Sequence, residues 1–551
     1  MLSLPKRRRK PSSRVPFLAP SWEHDHPALR RIDFSLPTDH LTRWLVVVVS
    51  HLDLAPLRLS YAGYGSLAYP VELLLAFVLF MYSRAFLSPA QWVRQAQYDD
   101  QSKWLLRGLR PSRSQLYAFR DRVEPFLDAW HRQLLAWAIL EGVTTASRGG
   151  LDGTFVAALA SRHRLLSPRG VARRLRLLRL AVWVDQSRDG GDPAALPDDV
   201  LAWVVLSLLI GLWLLRWGIQ ALLRGRPPAW LPQSVAGRRR VLGRYEQAQE
   251  RLTRRLQPYR DKKRPLSKKE KQAVKRMKVS LTDPEAVLGW DKVGTYRPLY
   301  NVPLVQATDA PLTLAWDVLA RNNDDGLLRP MMEKTREQLG RHLPEVLVDG
   351  AFLTVGDTLW CEKEGIVVYG PPSQAGRPKA ESDKPRKLPK KAFRYDSKEE
   401  AYFCPQGKRL DPISRREESR LDGRSLPVII HRASGADCQA CGQREGCTSN
   451  PGKGRVVKHY EGEEVLQRLE QRMQEPASQE AYKQRSQSVE LGYADLKEHR
   501  GLRVFRCFGR SRARSQAGLV ILASNGSKIM QALRSRLGTA SPSPAPEKQA
   551  G

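Results

Sequence analysis

The amino-acid sequence predicts an α/β fold: a mixed sheet flanked by helices, with an N-terminal all-α domain and a mostly helical insertion. Two kinds of pattern support this fold class. Apolar residues recur at spacings of three and four from about residue 41 to 145, as in helices that pack on one face. Farther along, short apolar runs typical of buried strands end at Asp152 and Asp349, each followed by Gly, whereas Glu490 lies in a polar, helix-forming stretch.

The N-terminal part divides at about residue 40. Residues 1–40 are rich in Pro and Arg and lack the apolar segment of a secretory signal, so we expect a disordered basic arm. Residues 41–145 predict a helical domain, in which the stretch from Arg110 offers a Ser N-cap to an aromatic, basic helix. Contact with DNA is one interpretation of this domain, and a packing module with solvated arginines is the other.

A helical insertion separates two parts of the predicted sheet. The first strand, in residues 146–165, carries Asp152, and residues 166–280 then interrupt the pattern. Arginine-rich and mixed-charge tracts in this insertion predict an exposed helix or a coiled-coil arm. Its apolar run at 201–215 ends at Arg216, short of the roughly 20 residues that cross a bilayer. We therefore predict a buried or partner-facing helix there, rather than a transmembrane span.

Residues 281–370 predict the rest of the sheet. Two apolar runs flank a turn at Asp309 and predict a hairpin. A helix over 327–339 follows, and Asp324 and Asp325 are interpreted as the turn and N-cap residues that precede it.

The order of the elements narrows the fold class. A strand over 345–348 delivers Asp349, a short helix follows, and a further strand is predicted at 366–369. This is the element order of a ribonuclease H-like domain: a strand with a carboxylate, a hairpin, a helix, a second strand with a carboxylate, a helix and a strand. In that fold the first and fourth strands lie side by side and bring their tips together, so Asp152 and Asp349 are expected to meet.

The last third of the chain divides into three parts. Residues 371–460 are polar, carry four of the six cysteines and predict a further insertion. Residues 461–535 contain the helix with the third acidic residue, and residues 536–551 predict a disordered tail. In the segment with that helix, Asp495 and Glu498 are expected to be solvated.

Six cysteines in 551 residues do not make a disulfide scaffold, and a cytoplasmic setting is expected. The candidate ligands of a structural zinc ion are Cys404, Cys438, Cys441 and Cys447. The Cys-x2-Cys pair among them has a spacing that zinc sites use, but the other spacings differ from the usual paired ribbon. Zinc and reduced free thiols therefore both remain open. Cys361 and Cys507 are predicted to be ordinary buried cysteines.

The composition is strongly basic, with 91 Lys and Arg against 57 Asp and Glu and a net charge of +34. Such an excess predicts DNA, RNA or an anionic membrane as the partner, and a merely solvated or ribosome-associated basic protein is the alternative. No Ser-His-Asp set, phosphate-binding Gly loop or dinucleotide fingerprint occurs, so ATP or NAD dependence is not indicated. Three carboxylates gathered by a fold can hold two Mg²⁺ ions that drive displacement at a phosphodiester, which points to a polynucleotide substrate.

Eight short stretches, in order over roughly residues 60–535, resemble one known family. They are Ala68-Tyr-Pro-Val-Glu-Leu-Leu-Leu, Leu151-Asp-Gly-Thr, Leu281-Thr-Asp-Pro-Glu-Ala, Tyr300-Asn-Val-Pro, Val348-Asp-Gly-Ala-Phe, Cys404-Pro-Gln-Gly-Lys, Tyr482-Lys-Gln-Arg-Ser-Gln-Ser-Val-Glu and Asn525-Gly-Ser-Lys. Together they are similar to the DDE transposases of bacterial insertion sequences, in the branch with an N-terminal helical domain and a cysteine-bearing insertion.

The resemblance implies an activity and partners. Asp152, Asp349 and Glu490 would be the catalytic residues and would bind Mg²⁺, as two ions, with Mn²⁺ as the alternative. The reaction would be cleavage at element ends followed by strand transfer into target DNA. The partner would be double-stranded DNA, bound by a homodimer in a bacterial cytoplasm in association with the nucleoid. The alternatives are an inactive or regulatory DNA-binding copy and a membrane-attached basic protein that relies on residues 201–223.

The resemblance also implies a DNA-contacting signature. The family's Tyr-Arg-Glu-Lys pattern falls on Tyr482, Arg485, Glu490 and Lys497, and its Tyr, Arg and Lys would hold DNA phosphates. Four residues separate Arg485 from Glu490, one more than in the best-known version. On a regular helix, Glu490, Tyr493 and Lys497 would share a face and Arg485 would lie well round from it.

Overall fold

A computed structural model describes residues 17–61, 67–188, 201–202, 230–262, 265–371, 388–419 and 425–539. The strands are β1 (Arg148–Ala157), β2 (Leu165–Leu166), β3 (Val279–Ser280), β4 (Val287–Trp290), β5 (Tyr296–Ala307), β6 (Thr313–Trp316), β7 (Glu345–Val348), β8 (Val367–Tyr369), β9 (Arg394–Asp396), β10 (Ala401–Phe403), β11 (Arg409–Ser419), β12 (Ser425–Ala433) and β13 (Val456–Tyr460). The α-helices are α1 (Pro27–Ser35), α2 (Leu41–Ser50), α3 (Ala55–Leu59), α4 (Val71–Ser83), α5 (Pro89–Tyr98), α6 (Asp100–Leu106), α7 (Arg113–Arg122), α8 (Leu127–Leu140), α9 (Pro168–Arg188), α10 (Val235–Arg260), α11 (Lys268–Arg276), α12 (Leu328–Leu339), α13 (Val355–Lys363), α14 (Gly435–Gln439), α15 (Arg444–Cys447), α16 (Glu464–Arg472), α17 (Pro476–Ala494) and α18 (Arg510–Thr539). The predicted mixture of helices with a mixed sheet is confirmed, and it is compatible with a ribonuclease H-like fold.

The N-terminal helices and the C-terminal helix α18 form one layer. Helix α4 is apolar almost throughout and is buried over most of its surface, since no face of it can be left in water. It packs against α2 and α18, and Phe77 and Phe80 share one hydrophobic cluster with Leu519 and Ile521. The helical character predicted for this part of the chain is confirmed, and the last helix completes its core.

Residues 17–40 do not form the disordered arm that composition predicts. Helix α1 buries Leu29 and Ile32, and Trp104 Nε1 donates a hydrogen bond to Asp33 Oδ1 at 3.0 Å. Two apolar side chains one turn apart are enough to dock this short helix against α6, whatever the Pro and Arg content around it. The basic run that suggested the arm lies in residues 1–16, outside the described residues.

Strand β1 lies inside the mixed sheet, whose order is β4-β5-β1-β7-β8, with β6 also pairing with β5. It runs antiparallel to β5 and parallel to β7, and the last β1–β7 pair joins Leu151 to Val348. Strand β5 is buried on both faces because helices pack on the sheet, so its sequence is apolar rather than alternating. The prediction that the two carboxylate-bearing strands are neighbours is confirmed.

The predicted hairpin is present as β5 and β6, and Asp309 lies in the turn between them. Its Oδ1 accepts a hydrogen bond from Thr144 Oγ1 at 2.7 Å, which ties the turn to the start of β1. Helix α12 follows as predicted, but its N-cap is Leu327, without a side-chain hydrogen bond. The prediction that Asp324 or Asp325 caps this helix is therefore wrong.

Helices α9 and α10 pack along each other in the insertion. Val171, Leu178, Tyr245 and Leu252 form a hydrophobic cluster between them, which explains why a tract so rich in charge still folds as a helix pair. Of the apolar run at 201–215, all but its first two residues lie outside the described residues. Among the helices that the structure describes, none is long and apolar enough to cross a membrane.

The cysteine-bearing segment forms its own antiparallel sheet, in the order β13-β12-β11-β10-β9. After this sheet, α16 and α17 return the chain to the mixed sheet, where α17 contacts β1, β5, β7 and β8. The C-terminal third therefore supplies both a separate β unit and a helix that covers the first sheet.

Helix α17 continues into a π-helical turn at Asp495–His499. The prediction that Asp495 is solvated is wrong. Ser524 Oγ donates a hydrogen bond to Asp495 Oδ2 at 2.6 Å, and Lys528 Nζ lies 3.1 Å from the same oxygen. Burial would raise the pKa of Asp495, but the charges of Arg500 and Lys528 outweigh burial and lower the pKa to about 2. This ion cluster fastens the end of α17 to α18.

Candidate functional site

Asp152 and Asp349 lie where β1 and β7 stop pairing, each one step beyond the last pair of the two strands. Strand β1 continues to Ala157, so the prediction that Asp152 ends its strand is wrong, whereas Asp349 follows β7 directly. Asp349 is exposed, and its Oδ1 accepts a hydrogen bond from Gly350 N at 2.6 Å. The parallel register thus brings the two aspartates to the same edge of the β1–β7 pair, as the element order predicts.

Helix α17 crosses β1 at very close range. A Cβ atom added at Gly150 would lie 2.5 Å from Val489 Cγ2, and one added at Gly492 would lie 2.6 Å from Gln306 Cδ. Glycine on the strand and glycine on the helix are therefore what lets α17 approach the sheet. The helix that carries Glu490 is held directly over the strand that carries Asp152.

Arg485 faces Asp152, with 3.4 Å between Arg485 Nη2 and Asp152 Oδ1. Both side chains are largely buried, at 18% and 22% exposed, so this contact is shielded from solvent. Tyr482 lies one turn earlier on α17. Burial raises the pKa of Tyr482; the charge of Arg485 opposes this shift, and the charges of Asp349 and Asp152 add to it.

The predicted helix face is correct for Tyr493 and Lys497, which both contact β1, and wrong for Arg485 and Glu490. Tyr493 is buried, and its hydroxyl donates a hydrogen bond to the Asp152 carbonyl oxygen at 2.7 Å, but Glu490 is exposed. Arg485, Val489 and Tyr493, spaced by four residues, form the face that contacts the sheet. Arg485 therefore has a better-defined position at the site than the helical angle suggested.

Lys497 reaches the site from the π-helical turn. Its Nζ donates a hydrogen bond to Thr154 Oγ1, two residues along β1 from Asp152, and lies 5.4 Å from the centre of the Tyr493 ring. Burial lowers the pKa of Lys497 to about 8, with the positive charge of Lys292 as the next cause. A π turn holds more residues than an α turn, so it shifts the later side chains around the axis and aims Lys497 at the sheet.

Asp152 lies in a field of mixed charges. Burial raises its pKa above the usual value for aspartate, Arg485 and Lys292 oppose that shift, and the negative charge of Asp324 adds to it. A half-buried carboxyl that is costly to ionise is typical of residues that act on a bound cation or a proton. Asp152 therefore has the raised pKa that is typical of such residues.

Asp324 is a residue that sequence reasoning missed. A Cβ atom added at Gly153 would overlap Asp324 Oδ1, and Asn301 Nδ2 donates a hydrogen bond to that oxygen at 2.6 Å. Burial raises the pKa of Asp324, and the charge of Asp349 acts in the same direction. Asp324 thus lies beside β1 next to Asp152. In the sequence, the run of Asn and Asp residues around Asp324 is typical of a turn. The only sequence signal of a polar partner for Asp324 is Asn301, a polar residue within Tyr300-Asn-Val-Pro.

The three predicted catalytic acids are not in contact as a triad. Glu490 is exposed on α17, and the charges that act most on Asp152 are those of Arg485, Lys292 and Asp324. Over the described ranges, no group of three or more His, Cys, Asp or Glu side chains is placed to hold a metal ion. The donors at this edge are nevertheless carboxylate oxygens, which are the ligands that Mg²⁺ prefers. Their chemistry fits the ion, and the predicted roles of the triad stay a prediction.

The four candidate zinc ligands share one pocket. Cys404, Cys438, Cys441 and Cys447 line a cavity of about 270 Å³ beside the second sheet. The Cys438 and Cys441 sulfurs accept hydrogen bonds from Arg455 N and Gln443 N, both at 3.4 Å. The fold thus groups these cysteines, although they are not placed as a metal site, so zinc and free thiols both stay open.

Cys361 and Cys507 are buried away from this pocket, as predicted. Burial raises the pKa of each thiol to about 12, so both side chains remain protonated and unreactive at neutral pH.

Comparison with known proteins gave one match. A family model described as "Transposase DDE domain" matches residues 403–530, from β10 to α18. The matched range includes α17 with Glu490 and the π-helical turn with Lys497, but it begins after Asp152 and Asp349. Searches among curated proteins and among solved structures found no match. This match confirms the predicted resemblance to DDE transposases over residues 403–530.

Proposed function

We propose, from the transposase DDE domain that this chain carries, that it cuts DNA at the ends of a bacterial insertion sequence and joins the freed ends to target DNA. One observation supports this most. Helix α17, inside the matched range, packs on β1 at the Gly150–Val489 contact, and β1 lies beside β7. The three elements that would carry the catalytic acids are therefore neighbours in space.

Asp152, Asp349 and Glu490 would hold the metal. When bound, Mg²⁺, or Mn²⁺ in its place, supplies a Lewis acid for the leaving oxygen and lowers the pKa of bound water. The raised pKa of Asp152 fits this role, because a nearby cation favours the charged form that burial disfavours. Glu490 lies on the helix that contacts β1, the strand that carries Asp152.

The basic side chains would position the DNA. Arg485 lies against Asp152, so a phosphate bound beside the carboxylates meets a guanidinium whose planar fork pairs with phosphate oxygens. Lys497 approaches β1 from the other end of the helix through Thr154, and Tyr482 lies one turn before Arg485 on α17. Contacts of this kind fix the register of a duplex and do not read its sequence.

The alternative is an inactive or regulatory copy that binds DNA ends without cutting them. The arrangement of α17 favours it, because the side chain of this helix that faces Asp152 is Arg485, whereas Glu490 is exposed.

A cleavage assay separates the two functions. Labelled duplex DNA from the ends of the element that encodes the chain is incubated with full-length protein in Mg²⁺ or in EDTA. We expect Mg²⁺-dependent nicking that Glu490→Ala abolishes. Glu480→Ala is the matched control, because Glu480 is an exposed acid on the same helix, paired with Lys483. Binding without nicking by the wild type would show that the chain is a regulatory copy. Equal nicking activity in the Glu490→Ala and Glu480→Ala variants would show that Glu490 is not part of a catalytic triad.

A homodimer on DNA follows from the need to hold two element ends at once. Light scattering of the complex with end-bearing duplex DNA is expected to give two chains per pair of ends. One chain per complex throughout the reaction would contradict this part of the proposal. A bacterial cytoplasm, with the protein on the nucleoid, is the setting that this substrate requires.

Zinc belongs to the proposal as a structural ion. The four pocket cysteines would hold it, and metal analysis of the purified chain is expected to find about one zinc per chain, since four thiolates complete one tetrahedral site. Cys441→Ser should lose the metal, whereas Cys361→Ser, at a buried cysteine outside the pocket, should keep it. Zinc-free wild-type protein with full stability would instead establish reduced thiols.

A further inference from the structure

The helical insertion carries half of the net charge of the chain. Residues 166–280 contain 26 Lys and Arg against nine Asp and Glu, a net charge of +17 out of +34. Solubility needs far less charge than this. An excess of this size in one segment is the mark of a polyanionic partner.

Some of these arginines hold the insertion in place. Arg238 donates two hydrogen bonds to Asp185, at 2.7 and 2.6 Å, and joins α10 to α9. Arg255 donates to the carbonyl oxygen of Ala286 at 2.9 Å, just before β4. Structural arginines of this kind give α10 a defined position relative to the mixed sheet.

Other basic side chains converge on a cavity of about 650 Å³ between α9, α10 and β2. Its polar and aromatic lining consists of His163, Arg164, Arg174, Trp230, Arg244 and Tyr245. Leu, Val and Thr residues complete the described lining, which contains no Asp or Glu. A concave surface with three arginines and no counter-charge favours an anionic ligand.

The cavity holds one arginine in place and leaves two available. Arg174 lies over the Trp230 ring, 5.1 Å from its centre, and its Nη1 donates to the Tyr245 hydroxyl at 3.2 Å. Arg164 and Arg244 are exposed and make no hydrogen bond or ion pair with any residue that the structure describes. An anion bound here would contact one guanidinium that is already in position. The other two arginines could reach the anion at the cost of side-chain conformational entropy alone.

We propose that this cavity binds backbone phosphates of duplex DNA, which makes the insertion a second DNA contact apart from the carboxylates. The inference rests on the proposed function for the identity of its partner. Guanidinium groups pair bidentately with phosphate, and the part-buried Trp230 offers an apolar face to the adjoining sugar. Strand β2 is the next strand after β1, so DNA held here is tied to the strand that bears Asp152.

The test is the salt dependence of binding to labelled duplex DNA of random sequence, measured by fluorescence anisotropy with the full chain. Each phosphate contact contributes about 0.9 to the slope of log K against log salt concentration. We expect the double variant Arg164→Ala, Arg244→Ala to reduce the slope by about 1.8, that is, two such contacts. Arg239→Ala, an exposed arginine of α10 outside the cavity, is the matched control and should change the slope little.

Three outcomes would overturn the proposal. An unchanged slope in the double variant, or an equal change in Arg239→Ala, would show that the cavity is not the contact. Loss of binding to phosphatidylglycerol vesicles or to single-stranded RNA, with duplex binding intact, would assign the cavity to another partner. Both substituted arginines are exposed, so the melting temperature should not change, and Arg244→Glu alone repeats the test if the double variant unfolds.

The Asp349→Asn variant separates this inference from the proposed function. It should lose cleavage and keep the wild-type salt slope. A wild type that never cleaves, together with the cavity effect on the slope, would refute the proposed function alone. Normal cleavage with no cavity effect would refute the cavity alone.

Discussion

The close contact between β1 and α17 gives a sharp test of how the site is built. In Gly150→Ala, the new Cβ would lie 2.5 Å from Val489 Cγ2 and 3.1 Å from Ser488 Oγ, whereas ordinary contacts begin at 3.4 Å. Helix and strand must separate by about 1 Å to restore normal van der Waals spacing. Arg485 moves with the helix, so its 3.4 Å approach to Asp152 lengthens by a similar amount.

Two magnitudes follow from this displacement. Overpacking by one methyl group costs about 1–3 kcal/mol in the free energy of unfolding. A shift of about 1 Å in a catalytic group costs on the order of 100-fold in rate, so cleavage should suffer more than stability. The measurements are urea unfolding and initial nicking rates on duplex DNA with Mg²⁺.

A second substitution makes the reasoning refutable. Val489→Ala removes the atom nearest to the new methyl group, so the variant Gly150→Ala, Val489→Ala should regain activity relative to Gly150→Ala, and a double-mutant cycle should show the coupling. Gly243→Ala is the control, because a Cβ there meets nothing within 4 Å. Unchanged activity in Gly150→Ala, or no recovery in the double variant, would show that α17 does not position the site.

Three further predictions concern charge. The pKa of Asp152 is raised in the folded state, so ionisation of Asp152 destabilises the fold as pH rises through that pKa. Asp152→Asn should therefore abolish cleavage but raise the melting temperature at pH 7. This gain in melting temperature should vanish below the pKa of Asp152 in the unfolded chain. Asp324→Asn keeps an oxygen that can accept the hydrogen bond of Asn301, but it removes a charge that raises the pKa of Asp152. The acidic limb of the pH–rate profile should therefore move to lower pH. An acidic limb that does not move would exclude Asp324 from the site. Lys497 has a pKa of about 8, so the wild type loses this charge and the loss of DNA affinity in Lys497→Ala should shrink as pH rises from 7 to 9. Lys497→Arg, which stays charged, should match the wild type at pH 7 and bind more tightly than the wild type at pH 9.

The sequence alone determined the position of those helices and strands whose burial follows from the local pattern of apolar residues. Predominantly apolar runs identify α4, β5 and β7, because a segment with little polar surface must be covered on all sides. The order of those elements was enough to place β1 beside β7, and so to bring Asp152 and Asp349 to one edge of the sheet. Short motifs around Glu490 indicated a resemblance to DDE transposases, and a model of the transposase DDE domain matches residues 403–530.

Only the tertiary structure decided which side chains meet. An ideal helix turned Arg485 away from the site, but the close approach at Gly150 and Gly492 sets the contact face, and that face presents Arg485 to Asp152 and leaves Glu490 in solvent. Asp324 looked like a turn residue because its neighbours in the chain are polar. Its real partners are distant in sequence, and no local pattern records them. Periodicity reports whether a position is buried, whereas the identity of its neighbour depends on packing between elements far apart in the chain, and that information exists only in the folded molecule.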